Sequence, residues 1–234
     1  MKMSVDTHFQ TKGYLLVKQA ITRAQVAALL AQLPDTATQS GGTRCLLDAA
    51  WCAALAEQLR SHASLQAIIG RHAVAVQCTY FEKSKDRNWL VSMHQDRSIP
   101  VAEKVEGAGL TGWSEKEGQL FVHAPLDLLG QLVAVRLHLD DCHAEDGPLR
   151  VVPASHHDGL LDETDIVSKR QTLGESVCEA DRGDLLVLTP LLLHASSKAS
   201  GTGKRRLLHF VFGPPQPGHG LAWRSMRCSE CSDL

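Results

Sequence analysis

Between residues 72 and 212 the chain is cut into short apolar runs by glycine, proline and charged clusters, and this punctuation constrains the fold most. Runs at 73–81, 89–95, 132–140, 149–152, 185–188 and 205–212 have strand length and borders rich in turn formers. The charged segment 82–87 and Glu145-Asp146-Gly147-Pro148 read as turns between them. The texture before residue 72 is helical. Thr22 is placed to cap a helix whose apolar face is Val26, Leu29, Leu30 and Leu33 and which ends near Pro34. Further helices are expected over 46–60 and 63–69, the second stopped by Gly70, with a loop over 35–42 and an edge strand at 13–17.

Helices followed by many short strands imply a mainly β domain with flanking helices, an α-flanked sandwich or barrel. At 234 residues with no internal repeat, one domain spanning 1–234 is expected, with 1–70 as helical support and 72–212 as the β core. Residues 97–131 carry Gly107, Gly109, Gly112, Gly118 and Pro125 and read as irregular. Loops this long inside a compact domain are usually functional or disordered, so a lid-like insertion is expected there. The Pro/Gly-rich tail from Pro214 should wrap the surface.

A net charge of −2 gives no reason to expect nucleic acid or an anionic membrane as partner. No apolar run approaches the ~20 residues of a membrane span, and the N-terminus lacks a signal-peptide apolar region. Seven scattered cysteines, an odd number, suit reduced thiols and a cytoplasmic protein. Cys228 and Cys231 form a lone CxxC with no second pair to complete a zinc site.

The chemistry centres on Val91-Ser92-Met93-His94-Gln95-Asp96. On a strand, residues two apart share a face, so His94 and Asp96 can grip one metal ion. A third ligand must come from elsewhere. His194, after the apolar 191–193, is best placed, and His209 is the runner-up. Two histidines and a carboxylate on one face leave coordination positions open, the arrangement of non-haem Fe(II) oxygenases, whereas structural zinc sites are closed by four ligands. An oxygenase using 2-oxoglutarate needs a fork for the far carboxylate, and Arg205 or Arg206 can supply it. Neighbours on a strand point to opposite faces, so only one can serve; Arg205 is favoured, with Arg206 turned to solvent.

The ordered blocks resemble the phytanoyl-CoA dioxygenase family of Fe(II)/2-oxoglutarate oxygenases. Met93-His94-Gln95-Asp96 is similar to the family's Trp-His-Gln-Asp, with Met93 where tryptophan is common. Leu139-Asp140-Asp141, Asp146-Gly147-Pro148-Leu149 and Pro153-Ala154-Ser155-His156 resemble its Leu-Asp-Asp, Asn-Gly-x-Leu and Pro-Gly-Ser-His run, with Asp146 for Asn and Ala154 for Gly. Gly183-Asp184 leading to His194-Ala195-Ser196, the eleven-residue step to Arg205, and Gly13-Tyr14-Leu15 complete the likeness. The resemblance implies a double-stranded β-helix (cupin-like jelly roll). It also implies iron ligands at His94, Asp96 and His194, Arg205 on 2-oxoglutarate, and Gln77, seventeen residues before His94, near the co-substrate's other end. Asp96 separates the chain from family members that halogenate, which lack this aspartate.

Fe(II), 2-oxoglutarate and O2 are therefore the expected cofactor and co-substrates. The expected reaction is hydroxylation of a small organic molecule with release of succinate and CO2. A catalytically silent metal- or ligand-binding jelly roll is the alternative; a zinc-dependent isomerase or hydrolase on a cupin-like barrel would instead work without oxygen. Arg136 and His138 share one face of their strand and are candidates to meet the substrate, Arg136 through an anionic group. Trp113 and His123, in the long insertion, are candidates to cover the site.

Overall fold

The computed structural model describes residues 4–33, 42–107 and 109–224. The loop expected at 35–42, apart from Gly42, and the Cys228/Cys231 pair lie outside them. The order along the chain is α1 (Val5–Lys12), β1 (Tyr14–Val17), α2 (Arg23–Leu30), β2 (Gly42–Thr43), α3 (Ala50–Arg60), α4 (Gln66–Ile69), β3 (Val74–Lys83) and β4 (Val91–His94). It continues with β5 (Ser98–Val101), β6 (Thr111–Lys116), β7 (Gln119–His123), α5 (Leu126–Leu129), β8 (Val133–His138) and β9 (Leu149–Val151). The last elements are α6 (Glu163–Leu173), β10 (Ser176–Cys178), β11 (Leu185–Leu188), β12 (His194–Ser196) and β13 (Arg205–Gly213). No described helix is long and apolar enough to cross a membrane.

Two antiparallel sheets make a jelly roll, a six-stranded one ordered β1-β11-β8-β13-β3-β2 and a four-stranded one ordered β10-β9-β12-β4. The larger sheet is buried on both faces, which explains why its strands read as continuous apolar runs rather than alternating ones. On β8, Val133, Val135 and Leu137 join the core under the helices, while Ala134 packs inward with Leu149, Val151 and Leu186. On β13, Leu208, Phe210 and Phe212 face the helical layer, and Arg205, Leu207, His209 and Val211 face the cavity between the sheets. Period two thus sorts the residues of the central strands β8, β11 and β13 between the helical layer and the space between the sheets.

The helical layer follows the sequence cues. Thr22 caps α2 through a reciprocal box with Gln25, and Val26 at 0% exposure and Leu59 at 0% anchor α2 and α3 on the sheet. The stretch expected as one helix over 46–60 begins with a 3₁₀ turn, Leu46–Asp48, before α3. Residues 97–131 are not irregular. They form a third antiparallel sheet, β5-β7-β6, followed by α5, and the glycines sit in its turns and register shift. Its apolar side, including Ile99, Val122, Leu128 and Leu129, packs with Leu132 and Val211 of the β core.

Gly183-Asp184 is a structural corner. Gly183 has φ +91°, and a Cβ there would lie 2.1 Å from the carbonyl oxygen of Ile21, so only glycine fits. The fully buried Asp184 carboxylate accepts the backbone N–H groups of Gln19 and Asp181, each at 2.8 Å, and pairs with Lys18 at 2.8 Å. Burial works against the charge, but Lys18 and the two backbone donors hold the carboxyl below its ordinary range. Asp184→Ala leaves two donors and a lysine without their acceptor and should cost about 3 kcal/mol, read by urea denaturation.

Ala154 occupies the left-handed region at φ 67° where the family commonly has glycine. A Cβ in that region costs roughly 1 kcal/mol. Ala154→Gly should therefore raise stability by about 1 kcal/mol, measured as a higher urea midpoint at unchanged m value.

Candidate active site

His94 ends β4, and His194 opens β12 directly opposite it in register, so the hydrogen-bonded ladder brings the two rings to 4.3 Å between centroids. Asp96 lies two residues beyond His94, its backbone N–H fixed on the carbonyl of Pro190 at 2.9 Å. Its two carboxylate oxygens lie 3.4 Å from Nε2 of His94 and 3.5 Å from Nε2 of His194. One ligand atom from each residue falls within 4.8 Å of the others. The Nδ1 atoms of His94 and His194 lie 2.8 Å and 2.9 Å from the carbonyls of Ser92 and Leu192. Carbonyls only accept, so each Nδ1 carries the proton and each Nε2 lone pair faces the shared centre.

Nε2 of His194 is buried with no hydrogen-bond partner among the described residues, on a side chain 1% exposed. An orphaned lone pair aimed at a second histidine and a carboxylate fits a divalent cation, and three protein ligands leave the remaining positions free. Partial burial works against the charge of Asp96, yet His194 and His94 beside it hold its carboxyl well below the usual range. Between His94 and Asp96, the buried Gln95 turns the other way. Its amide donates to the carbonyls of Gly159 and Leu191 at 2.7 Å each and accepts from the N–H of Leu161 at 2.9 Å, tying the triad to two loops.

His209 has a different role. Its Nδ1 accepts from Nε of Arg136 at 3.1 Å, and burial followed by the Arg136 charge pushes its pKa down to about 3. It is a neutral acceptor that orients Arg136 into the cavity. Burial lowers Arg136 to about 10, with the Asp96 charge acting the other way, so the guanidinium stays charged.

A cavity of about 420 Å³ opens beside the triad, lined by Gln77, Arg136 and Arg205 and walled by β5–β7. Arg205 is 6% exposed, donates to the carbonyl of Gly147, and has an unpartnered Nε among the described residues. Beside it stand two groups that sequence reasoning missed. Lys83, directly across the ladder from Arg205, donates to Oγ of Ser196 at 2.9 Å and the carbonyl of Ser197 at 2.7 Å. Burial and the neighbouring Arg205 push its pKa down to about 7. Lys83 was hidden in a charged run read as a turn; β3 extends through it. Ser196, two residues after His194, shares its strand face, and that spacing was the available signal.

Gln77 lines the cavity and donates to Oγ1 of Thr79 at 2.8 Å. His123 also lines it. Arg206 is not turned to solvent: it is half-buried and forks onto Asp140 with two bonds of 2.8 Å, locking the outer face of β13 to the end of β8. His138 and Trp113 do not line the cavity. His138 is buried at 2% exposure, and that burial drives its pKa down to about 3. Trp113 packs against the apolar cluster of the third sheet, with the Lys104 ammonium 5.8 Å from its ring centroid.

The fold is shared with solved structures. The non-heme alpha ketoglutarate dependent epimerase SnoN from nogalamycin biosynthesis matches with a TM-score of 0.65 at 15% identity over 98% of this chain and 88% of that one. HygX from Streptomyces hygroscopicus, with nickel and 2-oxoglutarate bound, matches with a TM-score of 0.60 at 20% identity over 88% and 84%. EctD from S. alaskensis matches with a TM-score of 0.66 at 15% identity over 94% and 79%. No curated protein matches the sequence. The family model for phytanoyl-CoA dioxygenase (PhyH) matches residues 9–207, which takes in the triad, Arg205 and every strand from β1 to β12, and the chain belongs to that family.

Proposed function

We propose that His94, Asp96 and His194 hold iron and that Arg205 seats the far carboxylate of 2-oxoglutarate, in an enzyme that hydroxylates a small organic molecule. The family is one of Fe(II)- and 2-oxoglutarate-dependent oxygenases, which are oxidoreductases. The observation that carries the assignment is the in-register pairing of His94 with His194, which aims two bare Nε2 atoms at the Asp96 carboxylate. When bound, iron and 2-oxoglutarate together supply the activation of oxygen, which the side chains alone cannot perform.

The chain's own contribution is position. Gln95 and the two Nδ1–carbonyl bonds hold the ligands in one geometry, so little reorganisation is needed when the ion enters. Arg205 makes a buried anion seat in the cavity wall, with Ser196 also lining it and Lys83, outside the lining, donating to Ser196. A planar fork suits a carboxylate bidentately, and the burial of Arg205 strengthens the pairing. Gln77 offers a polar contact further along β3. The sheet β5–β7 walls the cavity with Ile99 and Phe121 and limits access of water to the reacting centre. Cytoplasmic residence is part of the proposal, supported by the described cysteines, Cys45, Cys52, Cys78, Cys142 and Cys178, all being free thiols.

The test is conversion of 2-oxoglutarate to succinate by the purified protein with and without Fe(II) and O2. Turnover that needs both supports the proposal. Failure to bind iron and absence of turnover would favour a silent jelly roll, and activity in the absence of oxygen a hydrolase or isomerase.

A further inference from the structure

The cavity has an unbalanced charge. Among the described residues Asp96 is the single carboxylate lining it, against the cations Arg97, Lys116, Arg136 and Arg205. A fifth, Arg44, is neutralised by Glu117 at 2.6 Å. None of Arg97, Lys116 and Arg136 has a carboxylate within ion-pair distance among the described residues. The metal and co-substrate do not correct this. A divalent ion adds two positive charges and 2-oxoglutarate two negative ones, so the surplus remains whichever cations the co-substrate touches.

The charges share one cleft. Burial and then the Arg44 charge lower Lys116, while Asp96 raises it, and Arg97 and Lys116 add to burial in lowering His123. Lys116 ends β6, half-buried, with its ammonium 4.9 Å from the ring centroid of Phe121, itself a cavity residue. Arg97 follows Asp96, and its carbonyl accepts from the N–H of Ala124 at 3.0 Å, which fixes it beside β7. A cleft lined by one sign of charge concentrates ligands of the other sign and raises their rate of capture.

We propose that the primary substrate is a small organic anion, a carboxylate or phosphate ester, whose charged group is held by Lys116 and Arg97 while its reacting carbon faces the triad. The proposal rests on the oxygenase reading for the position of the reacting centre. The cavity of about 420 Å³ must take co-substrate and substrate together, which keeps the buried part of the substrate small.

Calorimetry on the nickel-loaded protein with 2-oxoglutarate present tests this with matched probes: 3-phenylpropionate against 3-phenylpropanamide, and glycerol 3-phosphate against glycerol. At least one acid should bind fivefold or more tightly than its neutral partner. The arm that shows the preference distinguishes carboxylate from phosphate. In the double variant Lys116→Gln/Arg97→Gln the preference should fall below twofold with the Kd for 2-oxoglutarate unchanged, and Lys116→Arg should keep it. Neutral probes binding as well as the acids, neither acid binding, or a preference surviving in the double variant would overturn the proposal. Nickel-loaded protein that takes no 2-oxoglutarate would overturn the oxygenase reading instead; the acid preference and its dependence on Lys116 and Arg97 are then read without co-substrate.

Discussion

Asp96→Ala should bind no stoichiometric Fe(II) and should lose at least about a thousandfold in turnover of 2-oxoglutarate, or about 4 kcal/mol of transition-state stabilisation. Asp96 is the one anionic group of the proposed ligand set, and its two oxygens reach toward both histidines. Without it, two imidazoles face a cleft of surplus positive charge, a poor site for a cation. Its side chain is more than a third exposed, so the fold should survive the change. Metal content after dialysis and a melting curve on the same sample separate the two effects. A variant that keeps one iron per chain would remove Asp96 from the ligand set.

Arg205→Leu is expected to raise the KM for 2-oxoglutarate by about a hundredfold, the worth of a charge-assisted bidentate contact of about 3 kcal/mol. Iron content should stay at wild-type level, because Arg205 is not a ligand and sits on another strand. Arg205→Lys should not restore affinity. An ammonium lacks the planar fork, and Lys83 already places an ammonium across the ladder. Steady-state kinetics varying 2-oxoglutarate, paired with metal analysis, reads both outcomes. A KM change confined to the substrate would place the co-substrate elsewhere, for example on Arg136.

The parts of this architecture legible in the sequence are those where local pattern and tertiary environment agree. The run at 185–188 reads as a strand because both of its faces are buried, and β11 spans those residues. His94 and Asp96 are readable because one strand carries both, and period two settles their common side. The elements that were missed lack such a pattern. Helix α6 buries none of its residues; it is held by its Asp162 cap, which accepts from the N–H of Asp165 at 2.8 Å, and by charges suited to each end. Helix α1 buries only Phe9. Strand β12 is three residues long, too short to carry a pattern of its own, and the apolar 191–193 before it forms the turn into it. The third sheet was obscured by glycines that mark turns and a register shift rather than disorder. Lys83 and Arg136 needed the register itself. Which charged residues turn inward depends on β3, β8 and β13 pairing as they do, and period alone cannot choose between two buried faces.

The assignment of one iron site with an adjoining 2-oxoglutarate seat is tested most directly by anaerobic titration of Fe(II), then 2-oxoglutarate, into the metal-free protein, followed by the visible absorption that the co-substrate develops on chelating ferrous iron. One iron and one 2-oxoglutarate per chain are predicted, with the absorption absent in Asp96→Ala and requiring far more 2-oxoglutarate in Arg205→Leu. Wild-type protein that binds iron without developing the absorption at saturating 2-oxoglutarate, or that develops it undiminished in Asp96→Ala, would contradict it.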